Sequence, residues 1–283
     1  MERMAVDARK ASGTVLAGRT VAISGAARGI GLATATRLRA AGADVFIGDI
    51  DRELAEREAE RLGATGLELD VTSEESFAAF LAAVNASSGR VDVLINNAGI
   101  MLTGSYLAQK PEAAERMFEV NTLGLMRGTR LALPAMLERR SGQIVNIASL
   151  AGRAVAPGIV SYCATKHAVV GFTRALQREH RDSGVRFTLI MPAFTRTALT
   201  EGLSTGRAPA AKPQDIAKGI VSAIITPRDE AILPPSAAAL IHTFERLLPR
   251  TWGNAVAHAM GVDEQFVARD GSALQENSRP WLK

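Results

Sequence analysis

The feature that most constrains the fold is a glycine-rich turn between a short apolar run and a helical pattern. The run Thr20–Ser24 is rich in β-branched and apolar residues, which predicts a strand. The turn covers residues 25–31, and a helical pattern over 32–41 then ends at Gly42. A strand, a glycine-rich turn and a helix in this order begin an α/β unit with parallel strands.

The same turn has a second possible use. It contains Gly25, Arg28, Gly29, Ile30 and Gly31, with the glycines spaced G-x-x-x-G-x-G. Glycines let the backbone approach a pyrophosphate closely, and the N-terminus of the following helix attracts that anion. A purely structural turn explains three glycines equally well, so the turn alone leaves both interpretations open.

Strands and helices alternate along the rest of the chain. Strands are predicted at 44–49, 66–71, 91–95, 142–149, 185–191 and 230–233, and helices at 52–62, 72–86, 111–138, 161–180 and 214–225. Such alternation predicts one doubly wound Rossmann-type α/β domain, with a parallel sheet of about seven strands and helices on both faces. We assign residues 16–234 to this domain, including a flap over 193–213, with a leader at 1–15 and a helical extension at 235–283.

Polar residues follow several predicted strands. Asp49 ends the second strand about 20 residues after the glycines, where a carboxylate accepts hydrogen bonds from ribose hydroxyls and repels a 2′-phosphate. This favours NAD over NADP, whereas Arg28 could reach a phosphate. An N-cap or turn role for Asp49 stays open, and Asp51 could play either part. Asp70, beside Val71, could touch an adenine edge.

Tyr162 and Lys166 are four residues apart, so on a helix they share one face. A neighbouring ammonium group is expected to lower the pKa of a phenol, which would then transfer protons near neutral pH. The spacing alone also fits a packed Tyr162 ring with Lys166 in solvent, so it leaves both interpretations open. Ser149 ends a predicted strand thirteen residues earlier. Asn121 lies inside a predicted helix, where it marks either a local kink or a tolerated surface residue.

Taken together, these motifs resemble the short-chain dehydrogenase/reductase family. Residues 24–31 resemble its Thr-Gly-x-x-x-Gly-Ile-Gly loop with Ser24 in place of threonine, and Asn96-Asn97-Ala98-Gly99 is its Asn-Asn-Ala-Gly motif. Ala193 follows Pro192 where the family usually has glycine. The resemblance covers about residues 16–234 and implies a catalytic tetrad of Asn121, Ser149, Tyr162 and Lys166.

The resemblance also implies a cofactor site and a mechanism. Tyr162 would exchange the proton, Lys166 would hold the nicotinamide ribose, Ser149 would bind the substrate oxygen, and Asn121 would hold a relay water. The residues expected to bind NAD, or less favourably NADP, are Gly25, Arg28, Gly29, Ile30, Gly31, Asp49, Asp70, Val71, Asn97, Ala98, Gly99, Tyr162, Lys166, Pro192, Thr195 and Thr197. No metal site is predicted, and a homodimer or homotetramer is expected.

Composition limits which binding partners and which cellular compartment are expected. The net charge is +4 over 283 residues and the arginines are scattered, so we expect no nucleic-acid partner. The single cysteine, Cys163, cannot form an intramolecular disulfide, which fits a reducing cytoplasm. No secretory signal or transmembrane run is recognised, so a cytoplasmic location is expected.

An apolar stripe in the extension bears on the substrate. Its members have helical spacing: Leu240, Ile241, Phe244, Leu247 and Leu248. Core or subunit packing, a lid over a bulky apolar substrate and contact with a membrane surface all explain it. With Met101 and Leu102 after the Asn-Asn-Ala-Gly motif, it favours a hydrophobic secondary alcohol or ketone, lipid- or steroid-like, over a small polar one. The alternatives are an NADP-dependent carbonyl reductase and a catalytically silent nucleotide sensor.

Overall fold

The computed structural model describes residues 15–203 and 210–238. Within them lies one sheet of seven strands, all parallel, in the order β3-β2-β1-β4-β5-β6-β7. The strands are β1 (Thr20–Ser24), β2 (Asp44–Asp49), β3 (Thr65–Glu68), β4 (Val93–Asn96), β5 (Gly142–Ile147), β6 (Val185–Pro192) and β7 (Glu230–Leu233). The predicted doubly wound α/β fold is therefore confirmed.

Helices connect the strands and cover both faces of the sheet. They are α1 (Gly29–Ala40), α2 (Arg52–Leu62), α3 (Glu74–Ser88), α4 (Pro111–Phe118), α5 (Gly124–Glu138), α6 (Val160–Glu179) and α7 (Pro213–Ile225). The five central strands β1, β2, β4, β5 and β6 are largely buried on both sides because helices cover both faces of the sheet. On β2, for example, Phe46 belongs to the core cluster that contains residues of α3 to α6, whereas Val45 and Ile47 belong to the cluster that contains residues of α1, α2 and α7.

The strand order reverses beside β1, and this reversal positions the functional site. β1 pairs with β2 on one side and with β4 on the other, so Ile23 lies opposite both Ile47 and Ile95. The connections that leave β1 and β4 diverge at the carboxyl ends of these strands. A crevice at such a point is where parallel α/β sheets bind their ligands.

Some boundaries differ from those predicted. β3 ends at Glu68 and β5 at Ile147, so Asp70, Val71 and Ser149 lie in the loops beyond the strands. The helix predicted over 111–138 is interrupted by a π-helical turn at Glu119–Leu123. This turn contains Asn121, which is 1% exposed. The alternative of a local kink is therefore correct for Asn121, and that of a surface residue is wrong.

The flap and the extension are described only in part. Both ends of the flap lie close together, because Thr195 forms a β-bridge with Ala211 and the Arg196 N–H donates to the Ala211 carbonyl at 3.0 Å. Residues 1–14 of the leader and the apolar stripe of the extension lie outside the described residues. No helix among 15–203 and 210–238 is long and apolar enough to cross a membrane.

Candidate active site

The glycine turn is held against the segment that follows β4. A Cβ atom on Gly25 would lie 2.6 Å from the Ala98 Cα, and the φ of Gly25 is +64°. The Ser24 hydroxyl accepts the N–H groups of Asn97 and Ala98 at 3.0 and 3.2 Å. The Asn97 amide donates in return to the carbonyls of Ser24 and Gly25, at 3.0 and 2.7 Å. The turn is therefore closed by hydrogen bonds as well as by small residues.

The N-terminus of α1 suits an anionic ligand. The residue before the helix is Arg28, whose side chain makes no capping hydrogen bond, and the first turn carries no acidic residue. The first N–H groups of a helix have no partners within the helix, and they lie at the positive end of its dipole. Gly29, Ile30 and Gly31 form this first turn, so these residues fit a pyrophosphate.

Asp49 lies beside this turn at the carboxyl end of β2. Its carboxylate accepts the N–H groups of Ala27 at 3.1 Å and Asp51 at 3.2 Å, and the residue is 5% exposed. Burial raises the pKa of Asp49, while the two backbone N–H groups lower it in part. Each oxygen keeps acceptor capacity, as a ribose-binding carboxylate requires.

Arg28 is engaged by the neighbouring carboxylate. Its guanidinium lies 2.8 Å from Asp51, and both side chains are almost half exposed. The other oxygen of Asp51 caps α2 by accepting the Leu54 N–H at 3.1 Å. Asp51 is therefore the capping residue, which leaves Asp49 free of that role. Part of the Arg28 donor set is therefore used by Asp51.

Asp70 and Val71 lie in the loop after β3, and some of their polar groups are already used. One Asp70 oxygen accepts both the N–H and the hydroxyl of Thr72, at 2.8 and 2.7 Å. The Val71 carbonyl accepts from Arg127 at 2.6 Å. The second oxygen of Asp70 is the group left for an adenine edge.

Asn121 ties the π-helical turn to the segment after β4. Its side-chain oxygen accepts the Ile100 N–H at 2.8 Å, and its amide donates to the Ile100 carbonyl at 2.9 Å and to the Thr165 hydroxyl at 3.2 Å. Both amide hydrogens are therefore used, so the side chain cannot donate to a relay water. The predicted water would have to bind elsewhere on Asn121.

Ser149 and Tyr162 meet at the carboxyl end of β5. Ser149 begins a short 3₁₀ turn, where its hydroxyl accepts the Ala151 N–H at 3.1 Å, and it is hydrogen-bonded to the Tyr162 phenol. Tyr162 is 7% exposed. A hydroxyl pair of this kind can bind a substrate oxygen and exchange a proton with it.

Lys166 lies one helical turn beyond Tyr162. Its ammonium group is 5.6 Å from the centre of the Tyr162 ring and donates to the Ile147 carbonyl at 3.1 Å. A Cβ atom on Gly99 would lie 3.6 Å from this ammonium and 3.2 Å from the Asn121 oxygen. The structure therefore brings all four predicted tetrad residues together.

The pKa values of the pair depart from the sequence prediction. Burial raises the pKa of Tyr162 to about 12, and its hydrogen bond with Ser149 lowers that value only in part. Burial also lowers the pKa of Lys166 to about 8. The expectation of a lowered phenol pKa is therefore wrong for the protein by itself, because desolvation disfavours both charged forms.

The described flap residues border the cofactor crevice. Thr197 lies over the glycine turn, since a Cβ atom on Gly29 would be 3.5 Å from its methyl group. The Thr195 hydroxyl donates to the Ala193 carbonyl at 2.7 Å, and the residue is 4% exposed. Pro192 ends β6 opposite Leu233.

Apolar side chains of the flap pack against the core cluster to which Tyr162 belongs. Met101 and Leu102 are buried in the core, so they support the pocket instead of lining an open surface. Partly buried apolar residues pack against the cluster that contains Tyr162, and among them are Ala151, Ala156, Phe194, Leu199 and Leu203. Phe194, Leu199 and Leu203 belong to the flap, and together they are called its apolar wall.

Two hydroxyl groups of the site are not predicted by the sequence motifs. Ser24 replaces the threonine of the family loop, and its hydroxyl accepts two backbone N–H groups. Thr165 binds Asn121, and its position directly before Lys166 is the signal that the sequence offers for it. Within the described part of the chain, no group of three or more His, Cys, Asp or Glu residues could hold a metal ion.

The glycine turn, the acidic end of β2 and the Ser–Tyr–Lys group define a nucleotide-dependent oxidoreductase of the parallel α/β class. A family model described as short chain dehydrogenase matches residues 19–208. The chain therefore belongs to the short-chain dehydrogenase/reductase family. As a member it is an oxidoreductase of CH–OH groups that uses a nicotinamide cofactor.

Curated relatives and solved structures agree with this membership. Estradiol 17-beta-dehydrogenase 11 of Mus musculus is 31% identical over 255 residues, covering 87% of this chain and 85% of the relative. An uncharacterized oxidoreductase of Staphylococcus aureus (strain USA300) is 33% identical over 218 residues, covering 76% and 94%. A short chain dehydrogenase/reductase from Burkholderia phymatum in complex with NAD has a TM-score of 0.74 at 27% identity, covering 82% of this chain and 95% of that one.

Proposed function

We propose that this protein transfers a hydride between NAD(H) and a hydrophobic secondary alcohol or ketone. The observation that carries the proposal is the meeting of Ser149, Tyr162 and Lys166 at the end of the sheet where the glycine turn lies. Alcohol oxidation and carbonyl reduction need a hydroxyl group that can transfer a proton, placed beside a dinucleotide-binding site.

The residues of the crevice fit a nicotinamide dinucleotide. The N–H groups at the start of α1 would hold the pyrophosphate, Asp49 the adenosine ribose, and Lys166 the nicotinamide ribose. The Lys166 ammonium has three donors, and the Ile147 carbonyl takes one. When bound, the cofactor supplies the hydride acceptor or donor. NAD is favoured over NADP because the buried Asp49 carboxylate repels a 2′-phosphate, and because Arg28 is paired with Asp51.

Tyr162 exchanges the proton in this scheme. In reduction its protonated phenol donates to the carbonyl oxygen as the hydride arrives at carbon. In oxidation the phenol must first lose its proton and then accept the one on the substrate hydroxyl. The Ser149 hydroxyl donates to the substrate oxygen, where negative charge develops. Lys166 stabilises the phenolate from one helical turn away.

The apolar wall supports a bulky hydrophobic substrate. The flap residues Phe194, Leu199 and Leu203 pack toward the cluster that contains Tyr162. Contact between an apolar substrate and this wall removes apolar surface from water, which contributes roughly 25 cal/mol for each Å² buried. A polar substrate gains less from the same contact. The name of the mouse relative, an estradiol 17-beta-dehydrogenase, supports testing steroid-sized alcohols.

The test follows NADH formation at alkaline pH with secondary alcohols graded from small and polar to steroid-sized. We expect turnover of the large apolar members and its loss in Tyr162→Phe, which keeps the ring and removes the proton carrier. Turnover of small polar sugars alone would exclude the proposed substrate class. Tighter binding of NADP than of NAD would instead favour a carbonyl reductase, and cofactor binding without turnover of any alcohol or carbonyl would favour a nucleotide sensor.

We also propose a homodimer or homotetramer, located in the cytoplasm. Exposed apolar residues on the helix around the π-helical turn, Phe118, Leu123 and Met126, support subunit contact through this helix. Light scattering on the wild type and on Leu123→Asp checks the assembly, with a smaller species expected for the variant. The single cysteine, which excludes an intramolecular disulfide, supports the location; fluorescence microscopy of the tagged full chain tests it.

A further inference from the structure

Thr165 joins the catalytic helix α6 to the π-helical turn through its hydroxyl group. The Thr165 Oγ1 donates to the Tyr162 carbonyl at 2.7 Å and accepts the Asn121 amide at 3.2 Å. The residue is 0% exposed, so no water competes for these bonds. One hydroxyl therefore connects the backbone of Tyr162 with the side chain of Asn121.

A second hydrogen bond joins the same two elements. The Thr122 hydroxyl donates to the Thr165 carbonyl at 3.3 Å. Two successive residues of the π-helical turn, Asn121 and Thr122, are therefore bonded to a single residue of α6. A π-helical turn displaces the following residues around the helix axis, and here it directs both side chains toward α6.

The hydrogen bonds of Thr165 extend to the cofactor side of the site through Asn121. The Asn121 side chain is hydrogen-bonded to both the N–H and the carbonyl group of Ile100. The adjacent Gly99 lies between Asn121 and Lys166, because a Cβ atom there would be within 3.6 Å of both side chains. The position of Thr165 therefore sets the gap between the 99–100 segment and the Lys166 ammonium.

We propose that Thr165 is a positioning residue, which holds Tyr162 and Lys166 at a fixed distance from the 99–100 segment. It touches neither the substrate nor the reacting atoms and acts through Asn121 and the α6 backbone. Its importance for turnover rests on the proposed function, whereas its effect on the surroundings of Lys166 does not.

The same helix offers a matched control in Thr173. Its hydroxyl donates to the Val169 carbonyl at 2.8 Å and accepts the Asn146 amide at 3.0 Å, and it is also 0% exposed. Thr165 and Thr173 thus make the same kind of bonds in equally buried places. They differ in that Thr173 lies about two turns further from Lys166.

The first arm of the test measures kcat and KM at saturating cofactor. Thr165→Val removes the hydroxyl with little change of shape, and we expect kcat to fall more than about tenfold with KM changed less than about threefold, as expected for lost orientation. Thr165→Ser restores the hydroxyl and should recover most of kcat. Thr173→Val should lower stability to a similar extent and leave kcat within about twofold.

The second arm does not depend on turnover. The chain has six lysines, so ¹³Cε spectra of lysine-labelled protein resolve Lys166 once Lys166→Met has assigned its signal. Burial lowers the pKa of Lys166 to about 8, and entry of water should move it toward the ordinary value of 10.5. We expect that upward shift in Thr165→Val and none in Thr173→Val.

Each outcome of these measurements either supports or contradicts the proposed role of Thr165. Equal kcat losses and equal pKa changes in the two valine variants would show a structural role only and overturn the proposal, as would wild-type behaviour of Thr165→Val. If the wild type turns over no alcohol, the proposed function fails while the Lys166 titration still decides the role of Thr165. If Thr165→Val does not fold, Thr165→Ala replaces it, and an unchanged Lys166 pKa in that variant overturns the proposal.

Discussion

The ammonium group of Lys166 lies 5.6 Å from the centre of the Tyr162 ring, and both groups are buried. In water-poor surroundings each group prefers its neutral form, so burial raises the phenol pKa to about 12 and lowers the ammonium pKa to about 8. The protonated phenol is the form that donates a proton to a carbonyl. The protein by itself is therefore prepared for reduction.

This arrangement predicts different pH dependences for the two directions. Oxidation needs the Tyr162 phenolate, so its rate should rise steadily from pH 7 to pH 10. Reduction needs the protonated phenol, which predominates throughout this range when the pKa is about 12, so its rate should stay nearly constant. Initial rates in both directions across this range test the prediction, and Tyr162→Phe should lose at least about 100-fold in each. An oxidation rate that falls with pH would contradict the role of Tyr162.

The buried Lys166 should also cost stability in a pH-dependent way. Because its folded-state pKa is lowered, the unfolded chain binds more protons between about pH 8 and pH 10.5, and stability rises with pH in that window. Lys166→Met removes this penalty. We expect the variant to be more stable than wild type by up to about 3 kcal/mol at pH 7, with the gap narrowing as the pH approaches 10.5.

Urea unfolding at pH 7 and pH 10 measures this difference in the free energy of unfolding between wild type and Lys166→Met. Tyr162 is present in both proteins, so its own titration cancels in the difference. Lys218→Met is the control, because Lys218 lies exposed on α7 and its removal relieves no burial. A gap between wild type and Lys166→Met that stays constant with pH would show that Lys166 keeps its ordinary proton affinity in the fold.

Cofactor choice depends on the Asp49, Asp51 and Arg28 side chains together. Asp51→Ser keeps a capping hydroxyl for α2 and releases Arg28, so NADP should bind more tightly. An exposed ion pair such as this is worth at most about 1 kcal/mol, so we expect a gain of up to about fivefold. Asp49→Asn should weaken NAD and favour NADP further, because the buried negative charge is removed.

Fluorescence titration of each variant with NADH and NADPH tests the assignment. The double variant Asp51→Ser with Arg28→Ala is the matched control, since it lacks the released guanidinium and should return NADPH to its wild-type affinity. If Asp51→Ser tightens NADH and NADPH equally, Arg28 does not discriminate between the two cofactors.

Local patterns were sufficient to predict the frame of the site. The four-residue spacing of Tyr162 and Lys166 requires one helical face, and the glycine spacing requires a tight turn before α1. Contacts between distant parts of the chain were not predictable in this way. The bond from Asn121 to Thr165 spans 44 residues, and its geometry depends on a π-helical turn that no local preference specifies.

The direction of the Tyr162 pKa shift was missed for a related reason. A charge one helical turn away is visible in the sequence, whereas burial depends on every element that packs around the site. Here burial has the larger effect on the pKa of Tyr162. Arg28 illustrates the same limit, because its partner Asp51 lies 23 residues away, and the sequence alone left Arg28 available for a phosphate.

The tight glycine turn gives a last prediction. A Cβ atom on Gly31 would clash with the Gly25 carbonyl and would lie 2.7 Å from both the Ala26 Cα and the Asn97 amide nitrogen. Gly31→Ala should therefore displace the start of α1 and weaken NADH binding by at least about tenfold, since the helix N–H groups lose their alignment.

Gly171→Ala is the matched control, because a Cβ atom there meets nothing within 4 Å in the middle of α6. That variant should bind NADH normally and gain about 0.5–1 kcal/mol of stability from the better helix propensity of alanine. Isothermal titration calorimetry and urea unfolding measure both effects, and normal NADH affinity in Gly31→Ala would mean that the turn does not hold the pyrophosphate.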